Sequence, residues 1–76
     1  MNKKVEQLVL ARIPGAQITF TDFKNDNRHF VLQVTSDKFK NMQLVDQHRA
    51  VMSAIKELID SGELHAVKIV TKILTP

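Results

Sequence analysis

Three histidines are the residues of this chain best suited to chemistry, because a neutral imidazole can bind a metal ion. They are His29, His48 and His65, and the sequence has no cysteine that could add a thiolate. His29 and His65 each stand just before a run of alternating apolar residues, whereas His48 lies inside a run with helical periodicity. His29 and His65 are therefore candidate metal ligands beside regular structure, with an unliganded polar loop residue as the alternative for each.

The size and composition of the chain exclude several classes of function. Its 76 residues are expected to form one domain, residues 1–76, that is too small to enclose a deep active site. The absence of cysteine excludes disulfides and thiolate chemistry within the chain. The serines and carboxylates show no spacing typical of a catalytic group, so no enzyme is expected. No apolar run approaches the ~20 residues of a membrane span, and no signal-peptide core is evident. This favours a cytoplasmic protein, with the mature form of an organelle-imported protein as the alternative.

Hydropathy periodicity predicts the element order α-β-β-α-β. The predicted elements are, in chain order, a helix over 2–13, strands over 16–23 and 29–36, a short turn over 36–39, a helix over 44–60 and a strand over 67–73. Pro14-Gly15 is expected to end the first helix, and Gly62 to end the second, because glycine readily adopts the left-handed conformation that closes a helix. The polar segment 24–28 is the predicted hairpin tip.

This order predicts an α+β fold, a two-layer sandwich with a three-stranded mixed sheet and both helices on one face. The first two strands should be antiparallel, whereas the helical crossover favours a parallel pairing of the second and third strands. Parallel strands begin at the same end of a sheet, so His29 and His65 are expected to share one edge. Because neighbouring strands lie about 4.8 Å apart, both imidazoles could reach one small metal centre.

The second helix carries the clearest apolar stripe. The residues that recur at helical spacing are Leu44, Val51, Ile55, Leu58 and Ile59. His48 shares the phase of this stripe, which predicts a packed or helix-capping histidine rather than a ligand. Arg49 should face outward.

The C-terminal half of the chain resembles the BolA family. The resemblance rests on a His-Arg pair at 48–49, a His-Ala pair at 65–66 and a closing Thr-Pro pair at 75–76, and it is strongest over 29–76. It implies a non-enzymatic partner of a CGFS-type monothiol glutaredoxin, acting in iron–sulfur handling or iron-status signalling. The implied cofactor is a [2Fe-2S] cluster shared with the glutaredoxin and glutathione, and the chain alone would be a monomer or weak dimer.

The resemblance also implies a set of ligands. In the BolA family the histidine of the His-Ala pair is the signature ligand, which corresponds to His65. The loop between the first two strands supplies a second ligand, a histidine in some members and a cysteine in others. Aligned on Phe30, His29 fits the histidine type, and Asp26 stands where the cysteine would be, although a hard oxygen donor suits an iron–sulfur cluster poorly. The residues expected to contact the partner are Arg49 and Arg28.

A DNA-binding transcriptional regulator, a role also proposed for the BolA family, is the alternative. The net charge is +3 with a pI of about 9.5, but the charges are interspersed, as on an ordinary solvated surface. Lys68 and Lys72 on the open sheet face, with Lys24 and Arg28 on the hairpin, would contact phosphates. This face is expected to be distinct from the histidine edge. The KH-type fold is similar, but two glycines cannot supply its GxxG loop. A metal-free interaction module is a further alternative.

Overall fold

The computed structural model describes residues 2–26 and 29–74, which follow the predicted order. The elements are helix α1 (Asn2–Arg12), strands β1 (Gln17–Asp22) and β2 (His29–Ser36), a 3₁₀ turn (Asp37–Phe39), helix α2 (Leu44–Asp60) and strand β3 (Ala66–Ile73). Each of these boundaries lies within about one residue of its predicted position, and the predicted α+β fold is confirmed. Within the described ranges, neither helix is long and apolar enough to cross a membrane.

The three strands form one mixed sheet in the order β1-β2-β3. Strand β1 pairs antiparallel with β2, and β2 pairs parallel with β3, as predicted. In the central strand, Phe30, Leu32 and Val34 are buried and alternate with half-buried residues. This alternation places one face of β2 against the helices and leaves the other face uncovered.

The core lies between the helices and the covered face of the sheet. Helix α1 contributes Val5 and Val9, one turn apart on the same face, and α2 contributes a longer stripe. The buried residues of that stripe in α2 are Gln47, Val51, Ala54, Ile55 and Leu58. The predicted tuck of Phe39 against the core is confirmed, since its side chain is 1% exposed.

The start of α2 differs from the sequence prediction. Leu44, predicted to face the core, is 62% exposed, because it is the first residue of the helix and lies before the turn that packs on the sheet. Gln47 is buried in its place. The capping role considered for His48 is also wrong: α2 begins after Gln43, and His48 is a half-buried residue beside the apolar stripe.

Gln47 is buried because each of its polar atoms has a partner. Its side-chain Nε2 donates to the carbonyl oxygens of Met42 at 2.9 Å and Phe39 at 3.3 Å, and its Oε1 accepts from the Thr71 hydroxyl at 2.6 Å. One side chain thereby joins the 3₁₀ turn, helix α2 and strand β3. Apolar periodicity cannot reveal such a residue, because its burial depends on partners distant in sequence.

We therefore expect Gln47→Ala to lower the free energy of unfolding by about 2–3 kcal/mol, since it removes three hydrogen bonds and leaves buried groups unpaired. The matched control is His48→Ala, which removes a half-buried ring that forms no hydrogen bond in the described part of the chain, and should cost about 1 kcal/mol or less. Urea denaturation of both variants measures the difference. Equal losses in the two variants would contradict the structural role of Gln47.

Candidate metal-binding site at the sheet edge

His65 is an exposed residue between two fixed neighbours. On one side, Leu64 is 1% exposed and its backbone N–H donates to the Leu58 carbonyl oxygen at 3.0 Å. On the other side, Ala66 begins strand β3 and its backbone pairs with β2. The backbone at His65 is therefore held on both sides while its imidazole remains open to solvent or to a partner.

The turn before His65 ends helix α2 and determines where β3 begins. Gly62 has a φ of +81°, in the left-handed region that glycine tolerates best, and its N–H donates to the Ile59 carbonyl oxygen at 3.1 Å. The Ser61 hydroxyl donates to the Leu58 carbonyl oxygen at 3.1 Å and accepts from the Glu63 N–H at 3.3 Å. These bonds satisfy backbone groups at the helix end and determine the path of the connection.

The parallel register brings the two candidate ligands to the same end of the sheet. His29 is the first residue of β2 and pairs with Ala66, the residue directly after His65. Neighbouring strands are about 4.8 Å apart, and the small Ala66 side chain leaves space beside the imidazole of His29. The predicted shared edge is therefore confirmed, whereas ligation by these residues stays a prediction.

An aromatic pair holds the strand on which His29 stands. Phe30 is 8% exposed and stacks on Phe20 of β1, with ring centroids 4.7 Å apart and 17° between the planes. Phe23 meets the His29 ring edge-on at a centroid distance of 6.2 Å. The strand that carries His29 is thus packed against its neighbour, although 42% of the His29 side chain is exposed.

Asp26 bonds to His29 twice. Its Oδ2 lies 2.7 Å from His29 Nδ1, and its Oδ1 accepts from the His29 backbone N–H at 3.1 Å. The sequence alone indicates only that Asp26 is a poor ligand in the place of a cysteine. The signal that could have identified the pair is an aspartate three residues before a histidine in a predicted hairpin loop.

A shallow depression of about 230 Å³ lies between the starts of β2 and β3. Its lining residues are Phe23, His29, Phe30, Ala66, Val67 and Lys68. No group of three or more metal-binding side chains occurs within residues 2–26 and 29–74, so the edge offers two imidazoles rather than a complete site. Imidazole is an accepted ligand for a [2Fe-2S] centre, and two such donors fit half of one if a second molecule supplies the rest.

Arg49, one of the two arginines predicted to contact a partner, does not line this depression. Arg49 is exposed, with 77% of its side chain accessible, and its Nη1 lies 3.9 Å from Asp46 Oδ1. It lines a separate groove of about 420 Å³ on the outer side of α2, together with Met52 and Ile59. This groove shares no residue with the depression beside His29. Arg28 lies outside the described residues.

The lysines of the DNA alternative lie where the strand pattern predicts, with one correction. Lys68 and Lys72 are exposed on β3, where they pair in register with Val31 and Thr35 of β2. Lys68 also lines the depression beside His29, so the expected separation of the lysine face from the histidine edge is wrong at this residue. The reason is the register, which carries Lys68 to the same strand end. Lys24 lies with its Nζ 5.9 Å from the Phe23 ring centroid.

Comparison with known proteins indicates the family of this chain. The family model described as BolA-like protein matches residues 12–75. An uncharacterized protein of Rickettsia prowazekii is 28% identical over 69 residues, covering 91% of this chain and 88% of that protein. A BolA-like protein of Dictyostelium discoideum is 33% identical over 52 residues, covering 68% of this chain and 46% of that protein.

The backbone also matches a solved structure over nearly its whole length. The structure of BolA1 from Arabidopsis thaliana superposes with a TM-score of 0.80 at 28% identity, covering 97% of this chain and 94% of that one. The family match spans β1 through β3, and therefore includes both histidines of the sheet edge. On these grounds the chain belongs to the BolA family.

Proposed function

We propose that this protein is a non-enzymatic partner of a CGFS-type monothiol glutaredoxin and shares a [2Fe-2S] cluster with it. His65 and His29 would be its ligands, and the glutaredoxin cysteine and a glutathione thiolate would complete the set. The role would be iron–sulfur handling or iron-status signalling. Family membership supports this proposal, and the two histidines at the sheet edge are the candidate ligands that it requires.

The observation that carries the proposal is the pairing of His29 with Ala66. This register brings the backbones of His29 and His65, which are distant in sequence, to the same end of the sheet, and both side chains are accessible. A lone exposed histidine would carry little weight. Two histidines at one sheet end, on backbone held by the core, would form a pair of donors whose remaining partners a second molecule supplies.

The donor set decides what the protein would contribute. Imidazole in place of thiolate makes a [2Fe-2S] centre less negative and raises its reduction potential. The residues of this chain would orient the two nitrogens, cover one side of the centre with the apolar depression, and require both imidazoles to be neutral. The ligand bonds would also help to hold the two proteins together.

His65→Ala is expected to leave the fold intact, because the side chain is exposed, and to abolish the response to the partner. The change in free energy of unfolding should be below about 0.5 kcal/mol. The measurement is the change in visible absorption and circular dichroism when [2Fe-2S]-loaded monothiol glutaredoxin and glutathione are added. His48→Ala is the matched control and should keep the wild-type change. A wild-type spectrum in His65→Ala would refute the assignment of this ligand.

His29→Ala is expected to weaken the complex without eliminating it, since water or another side chain can take the lost position. His29→Cys should still support the cluster, and its spectrum should shift toward that of an all-thiolate centre. Titration of each variant with the loaded glutaredoxin, followed by visible circular dichroism, measures both effects. If both variants match the wild type, the second ligand is another residue.

Nucleic-acid binding is the second candidate function, and the arrangement of β3 favours it. Lys68 and Lys72 lie four residues apart on the same face of an edge strand, and both are exposed. Two lysines on β3 and Lys24 on the hairpin give few phosphate contacts, so we expect weak association that is independent of DNA sequence.

Salt dependence separates this function from cluster sharing. Lys68 lines the depression beside His29, whereas Lys72 does not. Lys72→Glu therefore tests phosphate contact without altering the proposed metal site. We expect it to reduce the slope of log affinity against log salt by about 1 and to leave the glutaredoxin spectrum unchanged. Fluorescence anisotropy with duplex DNA at several salt concentrations measures the slope. Tight binding to one sequence at physiological salt, lost in Lys72→Glu, would instead favour a transcriptional regulator.

A further inference from the structure

We propose that Asp26 is a positioning residue that keeps the proton of the neutral His29 imidazole on Nδ1, so that Nε2 is presented to the metal. The tautomer is a property of the free protein and can be tested alone. Only the final step, presentation to a metal, rests on the function proposed above. In this proposal Asp26 does not bind the metal itself but acts through His29.

Two hydrogen bonds join the Asp26 carboxylate to His29. One carboxylate bonds both the backbone N–H of His29, at 3.1 Å, and the Nδ1 atom of the same residue, at 2.7 Å. An ionised carboxylate can only accept hydrogen bonds, so the short contact requires a proton on Nδ1. Since backbone and ring bond to the same group, the ring is also restrained in rotation.

Asp26 is itself held in place by the turn that precedes it. Its backbone N–H donates to Asp22 Oδ1 at 3.3 Å, at the end of strand β1. Asn25, directly before it, has a φ of +53° and donates its N–H to the Asp22 carbonyl oxygen at 3.3 Å. A left-handed asparagine is well tolerated in such a turn, so the local sequence supports the geometry that directs the carboxylate at His29.

The two nitrogens of the His29 ring differ in their hydrogen bonding. Within the described ranges no hydrogen bond is made to His29 Nε2, and the ring lines the depression beside Ala66. Metal-binding histidines commonly donate the second ring N–H to a carboxylate or carbonyl, which sets the tautomer and raises the basicity of the ligating nitrogen. The Asp26–His29 pair has this arrangement before any metal binds.

The three histidines therefore differ in a measurable way. A neutral imidazole in water carries its proton mainly on Nε2, and the Asp26 bond should reverse this preference at His29. In the described part of the chain, neither His48 nor His65 has a carboxylate within hydrogen-bonding distance. Those two residues serve as internal references in the same molecule.

Long-range ¹H–¹⁵N correlation spectra of the three imidazoles in the free protein test the tautomer directly. At about pH 8, where an imidazole is largely neutral, we expect His29 to be protonated on Nδ1 and the references mainly on Nε2. Asp26→Ala should move the His29 proton to Nε2. Asp37→Ala, which removes an equal charge at another exposed aspartate, should not. A wild-type His29 with its proton on Nε2, or an unchanged tautomer in Asp26→Ala, would overturn the inference.

The same variants, mixed with [2Fe-2S]-loaded monothiol glutaredoxin and glutathione, test the link to the metal. Loss of a group that orients a ligand typically lowers metal affinity 10–100-fold, so we expect a weakening of about that size in Asp26→Ala and none in Asp37→Ala. Asp26→Asn keeps one acceptor oxygen and should lie between wild type and Asp26→Ala.

The two proposals fail in different ways. If the tautomer shifts as expected but the wild-type protein gives no spectral change with the loaded glutaredoxin, the function is refuted and the orientation of His29 by Asp26 stands. If the wild type and Asp26→Ala bind equally well while the tautomer shifts, cluster sharing stands and presentation of Nε2 to the metal by Asp26 is refuted.

Discussion

The parallel pairing of β2 with β3 is the constraint on which the rest of this structure depends. Parallel neighbours cannot be joined by a tight turn, so the chain must cross the sheet, and α2 makes that crossing. The apolar stripe of α2 then covers the sheet and completes the core. A shift of one residue in this register would turn Val67 outward and Lys68 inward, so burial itself selects the pairing that brings Ala66 beside His29.

Polar interactions supplement this hydrophobic selection at the other end of α2. Gln47 bonds two backbone carbonyls, one in the 3₁₀ turn and one just after it, and the hydroxyl of Thr71 in β3. No buried side-chain polar atom lacks a partner in the described part of the chain, so burial of Gln47 carries no unpaired group. Because hydrogen bonds are directional, this network restricts how α2 can rotate or slide on the sheet, which apolar packing alone would tolerate more readily.

The functional consequence is a sheet edge whose backbone is held by the core and which offers two candidate metal ligands. His65 follows a buried leucine and His29 precedes a stacked phenylalanine, so both imidazoles stand on backbone held by the core. If both histidines bind a metal as proposed, two donors would not saturate the centre, and a partner would supply the remaining ligands. Lys68 at the same depression means that metal sharing and phosphate contact would compete for one surface.

The amino-acid sequence by itself determined the elements, the mixed sheet and the common edge of His29 and His65. These follow from short-range periodicity and from the geometry of parallel strands, which hold whatever the details of packing. The tertiary structure alone decided that Gln47 rather than Leu44 is buried, since that depends on Thr71 and the 3₁₀ turn reaching the same place. It also decided that Asp26 bonds to His29, because the contact requires the particular turn that Asn25 adopts at the end of β1.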